Sequence, residues 1–337
     1  MKNSENIIDL GSFIEYPLST DKELFKKISD NDKIRLNSCR AAILHSIRCY
    51  GVNKVWVAKY QCDVVKEFLL RNGVEVFEYD IDLNFNPLLS SNNSDTAIVL
   101  TNYFGILGDS HFDPLIEQYT NIIIDNAQAL FYHPKSNCLN CYSPRKFVAT
   151  PDGAYVIGKN VNNKFNYVQD VSSDTSQFLF MRYEYGCNGA GYKNKKDNDY
   201  RIDNSNVLLM SKLTYKLLDS FDYNDIINKR KINFNYARKL FDEINAIDIA
   251  NICDPDCVPM GYPLLIDKVD IISEFHKNHI YQARYWEYML SAYDKDCLEY
   301  RLASRLALVC IDQRYSKKEI DYQFEIIKKL LNDKGGK

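Results

Sequence analysis

Apolar and polar positions follow two rhythms in the first half of the chain. From Ala41 to Tyr50, apolar residues stand at Ala42, Ile43, Ile47 and Tyr50, the spacing of one buried helix face. Val55-Trp56-Val57-Ala58 follows as a β-rich run. A second helical pattern near Asp63 to Arg71 leads through Asn72-Gly73 into Val74 to Tyr79; either residue of that pair suits a helix end. Further strands are predicted at Ala97 to Leu100, Asn121 to Ile124 and Ala154 to Ile157. Ile122-Ile123-Ile124 is apolar at successive positions, which a strand tolerates when helices cover both faces of a parallel sheet. Alternation of the two segment types predicts a layered α/β fold.

The texture changes near residue 180. Met181 to Asp203 is polar, contains glycines and the cluster Lys193-Asn194-Lys195-Lys196, and reads as an irregular connection. So long a connection in a compact fold implies cover over a site or a subunit interface. Helices are expected over Ser205–Asp219, Tyr223–Ile244, Ser273–Asn278 and Lys317–Leu331, with a strand inside Val258–Ile272. Arg230, Phe234, Ala237 and Phe241 recur at helical spacing, and the domain boundary is placed in that helix, giving parts 1–230 and 231–337.

Composition narrows the class. With 337 residues the chain is long enough for two packed parts around a buried reaction site. Its 42 basic and 45 acidic residues leave no electrostatic footprint for nucleic acid. No apolar run is long enough to span a bilayer, no secretory leader is recognisable, and ten cysteines are too few for a disulfide scaffold. A cytoplasmic protein with reduced thiols and no membrane partner is expected. The phosphate-loop, dinucleotide-fingerprint and His-Glu-x-x-His motifs are missing. Cys138-x-x-Cys141 and Cys253-x-x-x-Cys257 lack the flanking knuckle of a zinc site, and the five histidines form no ligand pattern, so no metal is expected.

Three segments carry candidate chemistry. Asp125 ends the Ile122–Ile124 run, where α/β proteins place ligand groups. A carboxylate there needs a cation or a donor, and a protonated heterocyclic nitrogen would serve; the same position also suits a helix cap. Lys146 stands in the turn-rich stretch Tyr142-Ser143-Pro144-Arg145-Lys146 between strands, where desolvation or a neighbouring cation would free its amine for Schiff-base chemistry. Taken alone it is also an ordinary surface lysine. Asn37-Ser38-Cys39-Arg40 opens a helix whose first N–H groups suit a phosphate, with capping as the competing role.

In order and spacing these segments resemble the DegT/DnrJ/EryC1/StrS family of pyridoxal-phosphate aminotransferases, many of which act on nucleotide-linked keto-sugars. The resemblance runs from Gly11-Ser12-Phe13 to Leu308-Val309-Cys310-Ile311. Its most specific pieces are Asp125-Asn126-Ala127-Gln128 and the Lys146 loop ending in Pro151-Asp152-Gly153-Ala154. Asn102-Tyr103-Phe104-Gly105 stands where members often carry His-x-x-Gly. The resemblance implies a fold-type-I protein, with a mostly parallel seven-stranded sheet between helices and a smaller α+β C-terminal domain. It implies a homodimer with shared sites, pyridoxal 5'-phosphate as cofactor, and transfer of an amino group from an amino acid, expected to be glutamate, to a keto-sugar in polysaccharide biosynthesis. Lys146 would then bind the cofactor and carry protons, and Asp125 would pair with its ring nitrogen. Gln128 would lie beside its phenolic oxygen, and Ser38, Cys39, Arg40 and Ser143 would share its phosphate. Tyr60 would face its ring, Cys62 being the competing position; Arg314 would bind a donor carboxylate or form a structural ion pair, and Trp286 would lie at the acceptor site or in the core.

The chain departs from the family pattern at Cys39-Arg40, where Gly-Thr is common, and at Pro151 and Ala154, where glycines are common. Ser143 stands three residues before the lysine rather than five, and Asn198-Asp199-Tyr200-Arg201 only faintly echoes the family's Gly-Tyr-Asn-x-Arg segment that enters the partner's site. These departures leave room for a non-catalytic or regulatory pyridoxal-phosphate-binding relative, or for a substrate that is not a sugar.

Overall fold

Isoleucines 122 to 124 lie in the middle of a sheet covered on both faces. The computed structural model describes residues 16–162, 165–187 and 189–335, so Gly11-Ser12-Phe13 lies outside the described residues. The sheet comprises β1 (Lys33–Leu36), β2 (Lys54–Ala58), β3 (Glu75–Tyr79), β4 (Ala97–Thr101), β5 (Ile122–Asn126), β6 (Leu139–Tyr142) and β7 (Ala154–Ile157). Across the sheet the order is β1-β7-β6-β5-β4-β2-β3. Pairings from β3 through β6 are parallel, whereas β7 is antiparallel to both neighbours. Every strand except β7 therefore ends at the same edge.

The side chains of β4 and β5 sort by parity. Ile98, Leu100, Ile122 and Ile124 enter one core, while Val99 and Ile123 enter the other beneath α1 (Cys39–Tyr50) and α2 (Asp63–Arg71). Each fully buried isoleucine contributes on the order of 2 kcal/mol of transfer free energy. Ser38 caps α1 by accepting from the Ala41 N–H at 3.4 Å. Of the Asn72-Gly73 pair, Gly73 takes the left-handed conformation, at φ 77°. Helix α3 (Asp109–Gln118) links β4 to β5.

The stretch 181–203 corrects the expected irregular connection: it is largely helical, in α4 (Phe178–Tyr185) and α5 (Ala190–Asp203). α5 has no apolar stripe to reveal it; Ile202 and Asn198 are buried, and ion pairs of Asp199 with Arg145 and of Arg201 with Asp170 tie it down. The expected helix over 205–219 contracts to α6 (Lys212–Leu218). Residues before it are drawn into the sheet margin, where Leu209 bridges Leu36 and the Met210 N–H bonds the Arg35 carbonyl at 3.1 Å.

In the C-terminal part, α7 (Tyr223–Phe241) crosses position 230 without a break. There follow α8 (Ile249–Ile252), β8 (Tyr262–Leu265), α9 (Ile271–Lys277), α10 (Met289–Ala292), α11 (Leu298–Arg305), β9 (Leu306–Val309) and α12 (Lys317–Gly335). β8 and β9 form an antiparallel pair. Residues 280–286 are irregular, and Arg284 holds them by donating to Asp270 at 2.9 Å and to the Ser304 carbonyl at 2.7 Å. Among the described residues, no helix is long and apolar enough to cross a membrane.

Candidate functional site

Because the parallel strands end together, residues remote in sequence meet at one edge. Asp125 is the penultimate residue of β5 and is 5% exposed. Its Oδ1 accepts from the Ala127 N–H at 2.9 Å and from the Cys39 thiol at 3.5 Å, and its Oδ2 accepts from the Gln61 amide at 3.4 Å. Cys39 comes from the first turn of α1 and Gln61 from the loop after β2. Burial raises the Asp125 carboxyl above its ordinary value, and the Lys146 ammonium is the largest opposing influence.

Lys146 ends a 3-10 turn, Pro144–Lys146, directly after β6. The Phe147 and Val148 N–H groups close that turn on the Pro144 carbonyl at 2.8 and 2.9 Å. The Lys146 side chain is exposed, and its charge also reaches two thiols. Burial and the Asp125 charge push Cys39 up, and burial pushes Cys62 up to about 11; in both cases Lys146 pulls the other way. An exposed cation thus faces a buried carboxyl and two partly buried thiols.

The remaining candidates divide. Ser38 is occupied as the α1 cap, and Arg40 turns its guanidinium to Asp203 at the end of α5. The first N–H groups of α1 have no intrahelical carbonyl to bond and point toward this edge. Ser143 is buried, and its hydroxyl has no hydrogen-bond partner among the described residues. Gln128 is buried, and its Oε1 accepts from the Phe104 N–H at 2.8 Å. Gly105, at φ 73°, lets this loop pass so close that a Cβ would lie 2.5 Å from the Gln128 carbonyl oxygen.

Tyr60 is fully enclosed. Its ring meets Trp286 edge-on at 4.6 Å and Tyr103 at 5.7 Å, and its hydroxyl donates to the Tyr285 carbonyl at 3.1 Å. Cys62, at the start of α2, feels the Lys146 charge. Trp286 is half-buried in the same aromatic cluster. Arg314 makes a two-pronged pair with Asp312 at 2.8 and 2.7 Å. It also lines a cavity of about 420 Å³ with Phe178, Arg182, Tyr192 and Tyr281. Asn198 turns inward, donating to the Pro151 carbonyl of its own chain at 2.7 Å.

Two further residues support the site, Gln61 and Arg230, of which only Gln61 was absent from the sequence reading. Gln61 touches Asp125 while its own Oε1 is buried without a partner, and no motif announces it. Arg230 is buried; it donates to Gln313 at 2.8 Å and lies 4.7 Å over the Phe147 ring, and Gln313 donates to the Phe147 carbonyl at 2.7 Å. α7 and the loop after β9 therefore brace the residue following Lys146. The Pro151–Ala154 segment takes its own route: Asp152 is buried and accepts from the Ser211 N–H at 2.8 Å, the Ser211 hydroxyl at 2.7 Å and the Thr214 hydroxyl. Gly153, at φ 115°, donates its N–H to the Asn37 carbonyl at 2.8 Å.

Comparison of the sequence with protein-family models and with curated proteins gives no match. Solved structures do match. A sugar aminotransferase from Micromonospora echinospora aligns over 91% of this chain and 89% of its own at a TM-score of 0.62 and 15% identity. A DegT/DnrJ/EryC1/StrS aminotransferase from Brucella abortus aligns over 91% and 88% at 0.58 and 14% identity. NtdA from Bacillus subtilis, with bound cofactor PMP, aligns over 88% and 73% at 0.58 and 13% identity. At such identities the likeness is one of architecture: this chain has the fold of the DegT/DnrJ/EryC1/StrS aminotransferases, the fold-type-I arrangement of a mostly parallel seven-stranded sheet between helices.

Proposed function

We propose that the protein is a pyridoxal-phosphate-dependent aminotransferase. It would take an amino group from an amino acid, with glutamate as the expected donor, and deliver it to a keto-sugar, expected to be nucleotide-linked and destined for polysaccharide. The observation that carries this reading is the placement of Lys146, in the turn after β6, beside the strand that bears the buried Asp125 carboxyl, at the common edge of the parallel strands. The sugar aminotransferase and the PMP-bound protein sharing this fold support it.

The residues fit the cofactor. Asp125 is a buried acid held by one good backbone bond and two long side-chain bonds, at 3.4 and 3.5 Å, and a protonated ring nitrogen would supply the strong donor it lacks. The first N–H groups of α1, at Cys39 and Arg40, and the unpartnered Ser143 hydroxyl suit a phosphate. Ser38 would shape that turn as its cap. Cys62 is the better placed neighbour for the ring face, and Gln128 would act through the loop it ties to Phe104.

When bound, pyridoxal phosphate supplies an electron sink for the bond broken at the donor's α-carbon. Lys146 Nζ would hold the cofactor and, once free, would accept the donor's α-proton and return a proton to the acceptor carbon. Asp125 would hold the ring nitrogen and keep it protonated. Arg314 is proposed to meet the donor carboxylate by exchanging part of its pairing with Asp312, and Trp286 to border the acceptor. Parts 1–230 and 231–337 would act as large and small domains joined through α7, in a cytoplasmic homodimer whose partner covers the open side of Lys146.

Borohydride reduction of the protein loaded with pyridoxal phosphate, followed by peptide mass mapping, tests the assignment. The phosphopyridoxyl mass is expected on the peptide containing Lys146 and is lost in Lys146→Ala. A label on another lysine, or none at saturating cofactor, overturns it.

A further inference from the structure

Cys253 and Cys257 lie outside the chemistry above. Cys253 ends α8 and Cys257 closes the turn after it, where its N–H bonds the Asp254 carbonyl at 3.1 Å. The two sulfur atoms are 3.2 Å apart. A disulfide needs about 2.05 Å, so a shift of about 1 Å in two short side chains would close the bond. Both residues are partly exposed, and Cys257 lines a cavity of about 310 Å³ together with Asp109, Phe131 and His133. That opening admits a small reagent. The other closely spaced pair differs: Cys138 and Cys141 are buried, and the Cys141 sulfur instead faces the Ser46 hydroxyl at 3.3 Å.

We propose that Cys253 and Cys257 form a reversible dithiol–disulfide couple, a modification site whose co-reactant is a low-molecular-weight disulfide of the glutathione class. Cys253 is the attacking sulfur. The Cys257 thiol hydrogen bond lowers its pKa, burial opposes this, and the Arg238 charge helps, while Cys257 holds its proton more tightly. The Cys253 thiolate attacks one sulfur of the small disulfide and expels the other as a thiolate. Cys257, giving up its proton, then attacks the Cys253 sulfur and expels the second small thiolate. The protein loses two electrons to the small disulfide, and the two protein-thiol protons end on the two small thiols.

The turn is not isolated. The Asp254 N–H bonds the Ile106 carbonyl at 2.8 Å, and the Met260 N–H bonds the Phe104 carbonyl at 2.7 Å. The Phe104 N–H bonds Gln128 in turn. Closing the bridge therefore stiffens a turn that braces the loop after β4, and amide hydrogen exchange over 104–108 and 253–260 should slow.

The full-length protein is incubated with excess glutathione disulfide, quenched by acid, alkylated and mapped by peptide mass. Two of its ten cysteines should escape alkylation, in one cross-linked peptide holding Cys253 and Cys257, and dithiothreitol should restore both. Cys257→Ser should halt at a glutathione adduct on Cys253. The proposal is overturned when both residues remain alkylatable in excess glutathione disulfide, or when the bridge that forms joins other cysteines. Neither outcome depends on whether the protein binds pyridoxal phosphate.

Discussion

Replacing Asp125 by Asn separates a functional acid from a structural one, because the two roles move different observables in opposite directions. The substitution preserves shape and the Oδ1 acceptor that takes the Ala127 N–H at 2.9 Å. It removes the negative charge and turns Oδ2 into an Nδ2 donor, so the 3.4 Å contact with Gln61 persists once that amide flips to present its unpartnered Oε1, while the long 3.5 Å thiol contact to Oδ1 stays. In the cofactor-free protein the charge is a burden: burial lifts the carboxyl above its ordinary value of 3.8, so the native state binds the proton more tightly than the unfolded chain. Such a group lowers stability as pH rises from the unfolded pKa through the folded one, and at neutral pH Asn relieves that cost. The cofactor-free variant should therefore melt no lower than the wild type.

Cofactor retention should move the other way. Breaking a buried ion pair by removing one partner costs about 3–5 kcal/mol, and each 1.4 kcal/mol is tenfold, so the Kd for pyridoxal phosphate should rise by roughly 100- to 1,000-fold or more. Single-turnover transamination at saturating cofactor should slow as well, since a neutral ring is a poorer electron sink. Thermal melts of the cofactor-free protein, a spectroscopic titration with pyridoxal phosphate and stopped-flow single turnovers measure the three quantities. An unchanged Kd with an unchanged single-turnover rate refutes the pairing of Asp125 with the ring.

Other perturbations test the supports. Asp152→Ala removes the acceptor shared by the Ser211 N–H, Ser211 and Thr214 hydroxyls, stranding buried donors; urea unfolding should show a loss of about 3–5 kcal/mol, and a loss below about 1 kcal/mol would contradict the bracing role. Glu23 is buried against Arg35 at 2.6 and 2.7 Å. Burial works to raise its pKa, but the Arg35 bonds and charge bring it below the ordinary value of 4.5. Its stabilisation is thus present above about pH 4.5 and lost as pH falls through the lower folded pKa, so wild type and Glu23→Gln should converge in stability toward acid; a pH-independent difference counts against it. Arg314→Lys should raise the donor KM about tenfold while cofactor affinity stays put, because lysine cannot reproduce a planar fork. An unchanged donor KM would leave Arg314 only its pair with Asp312.

The legible parts of this fold are those where a short stretch decides its own environment. The β5 isoleucines demanded cover on both faces and have it, and α1, α2 and β7 fall where their periodicity places them. β1 was missed because Lys33 and Arg35 make it read as polar; the structure buries Lys33 against Glu23 and the Phe25 carbonyl, partners ten and eight residues away. α5 was missed because its polar surface is held by ion pairs to other elements and not by an apolar stripe.

The same division runs through the site. Asp125 and Lys146 stand out in the chain because an acid ending an apolar strand and a lysine in a turn between strands are local patterns. Their meeting is not local: parallel pairing ends β2, β4, β5 and β6 at one edge, the antiparallel β7 between β6 and β1 ends β1 there too, and Cys39, Gln61 and Lys146 are so brought to a carboxyl on β5. Tertiary packing alone decided that Tyr60 is enclosed by Trp286 and Tyr103 and that Arg40 faces Asp203. Residue order determines which groups exist and which local backbone they favour; which of them share a dielectric, and so alter one another's protons, is set by contacts between segments far apart in the chain.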